Sequence, residues 1–203
     1  MKRVDLKRQL SGLYKATAKE VGTVDAPKMN FLMIDGMGDP NKAPEYPEAV
    51  TALYQLSYAI KFHIKKGKQA IDYPVMPLEG LWWVDDMRLF SAEDKSGWKW
   101  TMMILQPDFV TRELVEEMRA EVAKKKNPPA LSKIRFAPFA EGPTAQILHI
   151  GPYSAEGPTV AKIHEHIRQS GRKLRGMHHE IYLKDPRKSA PEKLRTIVRQ
   201  PFA

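Results

Sequence analysis

The clearest pattern of apolar and polar positions lies at residues 46–66. Tyr46, Val50, Leu53, Ser57, Ile60 and Ile64 recur there at helical spacing and form one stripe. Tyr54, Tyr58 and Phe62 add a second row at i, i+4, so the spacing predicts a long helix, closed by Gly67 behind a basic last turn. Before it, residues 29–35 read as a buried strand that ends in the turn Gly36-Met37-Gly38-Asp39-Pro40. Within 1–28, Leu6, Leu10, Leu13 and Tyr14 predict a short amphipathic helix followed by an extended arm, stopped at Asp25-Ala26-Pro27.

Two strands are expected next, at 78–87 and 98–106, joined by the polar loop 91–97. They hold Trp82, Trp83, Trp98 and Trp100. Adjacent Trp82 and Trp83 point to opposite faces, so at most one can line a given pocket. Pro77-Leu78-Glu79-Gly80 suggests a kink where a ligand or another backbone can approach. A helix at about 108–126 follows, with Asp108 as N-cap and Val110, Leu114, Val115, Met118 and Val122 inward; Asn127-Pro128-Pro129 ends it.

The second half runs through the same order. A strand at 144–150, the turn Gly151-Pro152-Tyr153, a helix at 156–170, a strand from His178 to the turn Lys184-Asp185-Pro186, and a strand at 194–201 are expected. Strand–helix–strand–strand thus occurs twice, about 115 residues apart, with a helix between. Paired units of this kind leave a groove where they meet, a common place for a small-molecule site.

Composition narrows the class. The chain is 42% hydrophobic and 28% charged, as in an ordinary globular protein. No apolar run approaches the roughly 18 residues that span a bilayer, and residues 1–8 lack the apolar stretch of a signal peptide. With no cysteine, disulfides, thiolate metal sites and cysteine nucleophiles are excluded, and the cytoplasm is the expected compartment. The net charge of +9 invites a nucleic-acid reading. The basic tracts at 65–68, 124–126 and 168–175 instead each end a predicted helix, where cations complement the dipole. No nucleic-acid-binding signature accompanies them, so nucleic acid is not the expected partner.

Candidate chemistry concentrates at one strand. Period-2 geometry puts His178, Glu180 and Tyr182 on one face and His179, Ile181 and Leu183 on the other. A carboxylate in mid-strand is unusual. His164 and His166 lie two apart on a predicted helix and His178 and His179 on opposite strand faces, so no metal is expected. Gly36-x-Gly38 fails as a phosphate loop because Asn41 stands where a third glycine belongs. No Gly-x-Ser-x-Gly elbow occurs. What remains is Glu180 amid Met33, Tyr54, Tyr58, Trp82 or Trp83, Trp98, Met102, Tyr153 and Tyr182. Such a carboxylate can pair with a flat cationic ligand, or act as a general base or acid with its pKa raised by burial; the residues leave both open.

Three blocks also carry a resemblance: Phe31-Leu32-Met33-Ile34-Asp35-Gly36-x-Gly38-Asp39-Pro40, Val75-Met76-Pro77-Leu78-Glu79-Gly80-Leu81-Trp82-Trp83 and His179-Glu180-Ile181-Tyr182-Leu183-x-Asp185-Pro186-Arg187. Together they resemble the GyrI-like small-molecule-binding domain family, and in particular its stand-alone members. The resemblance implies one α+β domain over 1–203. It would consist of an arm at 1–28, βαββ (SHS2-type) repeats at about 29–106 and 143–203 in pseudo-twofold symmetry, a connecting helix at about 108–126, and a central ligand cleft. In regulator-fused members, a buried glutamate at the position of Glu180 meets cationic, lipophilic drugs. Some stand-alone members add water to the cyclopropane of DNA-alkylating natural products of the yatakemycin and duocarmycin type, which protects the cell. By that resemblance Glu180 would activate water, a tyrosine among Tyr58, Tyr153 and Tyr182 would orient the water or the dienone carbonyl, and the tryptophans would stack on the substrate. No cofactor is implied, the partner is an aromatic lipophilic small molecule, and oligomeric state is left open. The alternative is binding or sequestration of cationic aromatic compounds without turnover.

Overall fold

A computed structural model of the chain describes residues 1–87, 90 and 94–203. In chain order the elements are β1 (Lys2–Arg3), α1 (Leu6–Gln9), α2 (Ser11–Tyr14), β2 (Gly22–Ala26), β3 (Met29–Met37), α3 (Glu45–Lys66), β4 (Ile71–Asp72), β5 (Leu78–Trp83) and β6 (Lys99–Gln106). There follow α4 (Arg112–Lys125), β7 (Arg135–Phe139), β8 (Gly142–Ile150), α5 (Gly157–Gln169), β9 (His178–Tyr182) and β10 (Arg195–Pro201). Eight of the described strands pair into one sheet in the order β2-β8-β10-β9-β5-β6-β3-β7, while β1 and β4 pair separately. All neighbours in the large sheet are antiparallel. The fold is mixed α+β.

Helices α3 and α5 pack on the same face of the sheet. On one side, α3 covers β3 and β6; on the other, α5 covers β8 and β10. Ala49, Ala52, Leu53, Leu56, Ser57, Ile60 and Ile64 are the buried row of α3. The expected stripe is thus the packed one from Leu53 onward, while Ala49 and Ala52 take the buried places at its start and Tyr46 and Val50 are only half-buried. A fully buried Leu or Ile contributes about 1.5–3 kcal/mol, and this row anchors α3. Ile163 and Ile167 of α5 meet Ala145, Ile147 and Val198 in a smaller core. The central pair β9–β5 therefore runs between the two helices.

The opposite face is closed by a buried polar cluster. Tyr14 Oη donates to Glu79 at 2.6 Å, and His179 contacts Glu79 through Nε2 and Glu141 through Nδ1, each at 3.0 Å. Arg199 completes it, donating to Glu141 at 3.3 Å, Gln146 at 3.0 Å and the Leu13 carbonyl at 2.6 Å. Burial acts against charge on His179, but Glu141 and Glu79 overcome it and push its pKa up to about 9. The cluster ties the N-terminal turns to the back of β5, β9 and β10. It thereby holds the register of the strands that carry the front face.

Several boundaries differ from the sequence expectations. The N-terminal helix is two four-residue turns, α1 and α2, and the extended arm pairs with β8 as the edge strand β2. The strand expected to run to 87 stops at Trp83. The helix expected from Asp108 starts at Arg112, because Thr111 is the residue whose side chain accepts from the Leu114 N–H. Strand β7 has no counterpart among the expected elements. Pro138 argues against a strand, but β7 is the sheet edge, where a missing N–H is tolerated. In the expected loop 91–97, residues 91–93 lie outside the described residues.

Candidate functional site

The site begins with register. On β9, Glu180 pairs with Gly80 of β5 on one side and Val198 of β10 on the other. Directly paired residues share a face, so His178, Glu180 and Tyr182 lie on the helix-covered face with Gly80, Trp82, Trp100 and Met102. This is the face that period 2 assigns to Glu180.

At Gly80, a Cβ would come within 2.7 Å of the Trp82 Nε1 and 3.0 Å of the Tyr182 hydroxyl. The bare backbone is what admits these two side chains. Trp82 Nε1 donates to the Tyr182 hydroxyl at 3.0 Å, and that hydroxyl donates to Glu180 Oε2 at 2.7 Å. His178 Nε2 reaches Glu180 Oε1 at 3.0 Å. A second glycine works the same way farther along the sheet. A Cβ at Gly36 would fall 2.2 Å from the Trp100 ring, so this glycine makes room for an indole rather than a phosphate.

Aromatic rings enclose the carboxylate. Trp82 sits 5.4 Å from Trp98 and 6.0 Å from Tyr46, and Tyr46 meets Trp100 edge-on at 5.5 Å. Phe90 stacks on Trp98 at 4.7 Å and lies 5.9 Å from the His178 ring. Tyr153 stands edge-on to Tyr182 at 5.6 Å.

A second carboxyl group completes the site. Glu156 precedes α5 as its N-cap but makes no side-chain capping bond. It is buried, and Glu156, His178 and Glu180 each place a ligating atom within 4.8 Å of the others. The sequence disclosed no such trio, because its members come from two elements. Burial, then the charge of Glu180 and a hydrogen bond to it, raise the Glu156 pKa to about 10, so this carboxyl keeps its proton. Burial also works to raise Glu180. The hydrogen bond and field of His178 outweigh it, helped by hydrogen bonds from Tyr182 and Glu156, and Glu180 is held below the usual carboxylate range. This corrects the expectation of a Glu180 raised by burial: the raised group is Glu156. The pair is one ionised carboxylate and one neutral acid.

The neighbouring tyrosines are held as phenols. Burial and the Glu180 charge raise Tyr46 and Tyr182 far above the normal value, and Tyr153 to about 12. Tyr54, at the rim, is raised by burial against a hydrogen bond with the Leu78 backbone.

Not every residue singled out from the sequence joins this site. Trp82, Trp98, Met102, Tyr153 and Tyr182 do, and Tyr54 stands at its edge. Trp83 pairs with Lys99 on the opposite face, so Trp82 is the tryptophan that shares the face of Glu180. Met33 pairs with Met103 and shares that opposite face, since Ile34 and Leu32 are the β3 residues on the side of Glu180. Tyr58 lies on α3 beyond Tyr54 and is 45% exposed, so it is not beside Glu180. Missed entirely were Glu156, Tyr46 and Phe90. An acidic residue just before a helix is the usual partner of the helix dipole, so Glu156 carried no distinguishing signal.

Residues 19–201 match the GyrI-like small molecule binding domain. A comparison with curated proteins gives no match. Among solved structures, an uncharacterized conserved protein from Listeria innocua is 39% identical with a TM-score of 0.91, covering 98% of this chain and 100% of its own. Two structures described as a hydrolase from Listeria innocua are 38% identical. Their TM-scores are 0.86 and 0.89, covering 98% and 100% of this chain and the whole of their own. With a family match over most of its length and neighbours of this identity, the chain belongs to the GyrI-like small-molecule-binding domain family.

Proposed function

We propose that this protein hydrolyses the strained cyclopropane of cyclopropanoid alkylators of the yatakemycin and duocarmycin type, without a cofactor, and so protects DNA from them. The observation that carries the reading is the Glu156–Glu180 pair, a neutral acid against an ionised carboxylate in a chamber of rings. Two titratable groups pushed apart in this way are suited to acid and base roles at one pH.

The steps balance with water as the sole co-reactant. Glu180 accepts a proton from water as the water oxygen bonds to the cyclopropane methylene. The ring C–C bond breaks, and its electron pair moves into the dienone to form a phenolate. Glu156 supplies the proton that makes this the phenol, and Tyr153 at the rim orients the carbonyl. Proton return from Glu180 to Glu156 across their hydrogen bond restores the pair. Ring strain supplies much of the driving force, so placement and charge complementarity suffice. Trp82 and Trp98 offer faces for the flat substrate.

The placement of this cleft is supported by the order of elements. β3, α3, β5 and β6 match β8, α5, β9 and β10, and the sheet runs β8-β10-β9 then β5-β6-β3. We read this as a duplicated unit over about 29–106 and 143–203, related by a pseudo-twofold axis between β9 and β5. Glu180 and Gly80 are then equivalent positions, one bearing the reactive group and the other giving it space.

The second reading is binding without turnover, favoured by an ionised Glu180 among aromatic faces, a setting suited to a flat cation. Incubation with a spirocyclopropyl dienone, read by mass spectrometry, separates the two. A product heavier by one water supports hydrolysis, whereas retention of unchanged compound with quenched tryptophan fluorescence supports sequestration.

A further inference from the structure

A row of rings runs away from the cleft along α3. Tyr54, Tyr58 and Phe62 have centroids 6.3 and 6.1 Å apart and planes inclined by 28° and 24°. Packing does not cover the row: Tyr58 is 45% and Phe62 46% exposed. It forms one wall of a groove of about 870 Å³, with Met118 and Val122 of α4 on the other wall. Pockets for drug-sized ligands are of about 300–1,000 Å³.

Tyr54 lines this groove and also stands near Tyr46 and Tyr153, the rings around Glu180. Its ring begins the row, while its hydroxyl bonds to the backbone at Leu78, the strand partner of Tyr182. Tyr153, at the cleft rim, lies within its electrostatic reach. From Tyr54 to Phe62 the helix advances about 12 Å at roughly 1.5 Å per residue. At the far end stand Lys66, Lys125 and Lys126; Lys125 is tied to Glu121, while Lys66 and Lys126 have no ion-pair partner among the described residues. In the α3 wall, the buried Oε1 of Gln55 has no hydrogen-bond partner among the described residues.

We propose that this groove is an outer arm of the binding cleft and holds the tail of an elongated, flat, multi-ring ligand whose head sits at Glu180. The inference rests on the central cleft being the ligand site and adds the shape of what enters it. Rings in near-parallel single file present repeated faces and edges to a planar tail, and sequence-tolerant stacking of this kind is how aromatic rows hold extended molecules. The lysines at the far end select a tail that is neutral or bears carbonyl, phenol or anionic groups, and Gln55 accepts from a tail N–H. Positive charge belongs at the head, where Glu180 is ionised. A compact ligand fills the cleft and leaves the row untouched.

Two flat cationic dyes of different length test this by fluorescence titration of the full chain. One is a bis-benzimidazole with a methylpiperazine at one end and a phenol at the other; the second is proflavine, a single tricycle. Replacing two exposed rings, Tyr58→Ala with Phe62→Ala, is expected to weaken the long dye about tenfold or more and to change proflavine by less than about twofold. Glu180→Gln is expected to weaken both. Equal effects of the ring substitutions on the two dyes, or none on either, would overturn the outer arm and leave the cleft reading standing. If Glu180→Gln alters neither dye, the cleft reading fails, and the head-and-tail placement fails with it.

Discussion

Glu180 lies directly across from Gly80 on the neighbouring strand, and the hydrogen bond between Trp82 and Tyr182 passes over the space that a side chain at Gly80 would fill. Gly80→Ala is therefore expected to force the indole or the phenol aside. Overpacking of this kind destabilises by about 1–3 kcal/mol. The displaced Tyr182 would also stop donating to Glu180. Urea denaturation and ligand titration should show both losses together, and an unchanged midpoint with unchanged affinity would contradict the account.

Glu156 is expected to lower stability in return for chemistry. Its folded pKa of about 10 lies above its unfolded value, so folding takes up a proton across that window. Its contribution is most favourable in acid and declines as pH rises from the unfolded value towards about 10. Glu156→Gln keeps the shape of the neutral acid and removes this slope. The variant should melt at a higher temperature than wild type at neutral pH and flatten the pH dependence. Its hydrolysis rate should fall about 10²–10⁴-fold, the usual loss of a positioned acid or base.

The buried cluster behind the site predicts a second pH effect. The His179 pKa is raised to about 9 in the folded state, so its stabilisation is complete below the unfolded value and is lost as pH rises through about 9. Glu141 is held down by His179 and Arg199 despite burial, so its contribution is present near neutrality and lost as pH falls through its lowered value. His179→Leu leaves Glu79 and Glu141 buried without that partner, a change that typically costs about 3–5 kcal/mol. Chemical denaturation of the variant across this range should show the loss near neutrality and little difference from wild type well above pH 9.

The two adjacent tryptophans should respond differently. Trp82 shares the face of Glu180 and donates to Tyr182, whereas Trp83 pairs with Lys99 on the far face. Trp82→Ala should raise KM first, since stacking binds ground state and transition state alike. Trp83→Ala should leave KM unchanged. Steady-state kinetics of the two variants distinguishes them.

Much of this site could be read from single strands. The face shared by His178, Glu180 and Tyr182 follows from period 2 alone, as does the separation of Trp82 from Trp83. Choosing which tryptophan faces inward required the pairing of Trp82 with His178, which no local pattern records. Met33 was misplaced for the same reason: its alternation with Ile34 was visible, but which of the two joined the cleft depended on the register with β6. Tyr58 followed Tyr54 at helical spacing, yet the row leads out of the cleft towards α4. Glu156 lay beyond local reading altogether, because its meaning arises from Glu180 and not from its neighbours in the chain. The long helix α3 was plain in its periodicity, whereas the edge strand β7 was hidden by Pro138.

The most direct test of the Glu156–Glu180 pair is single-turnover hydration of a spirocyclopropyl dienone in water enriched in heavy oxygen, comparing wild type with Glu180→Gln. The amide keeps the volume of the side chain but cannot accept the proton of the attacking water. Wild type is expected to give the ring-opened alcohol carrying the heavy oxygen, and Glu180→Gln to form it about 10²–10⁴-fold more slowly while still binding the substrate. Equal rates in the two proteins, or no labelled alcohol from wild type, would contradict the assignment.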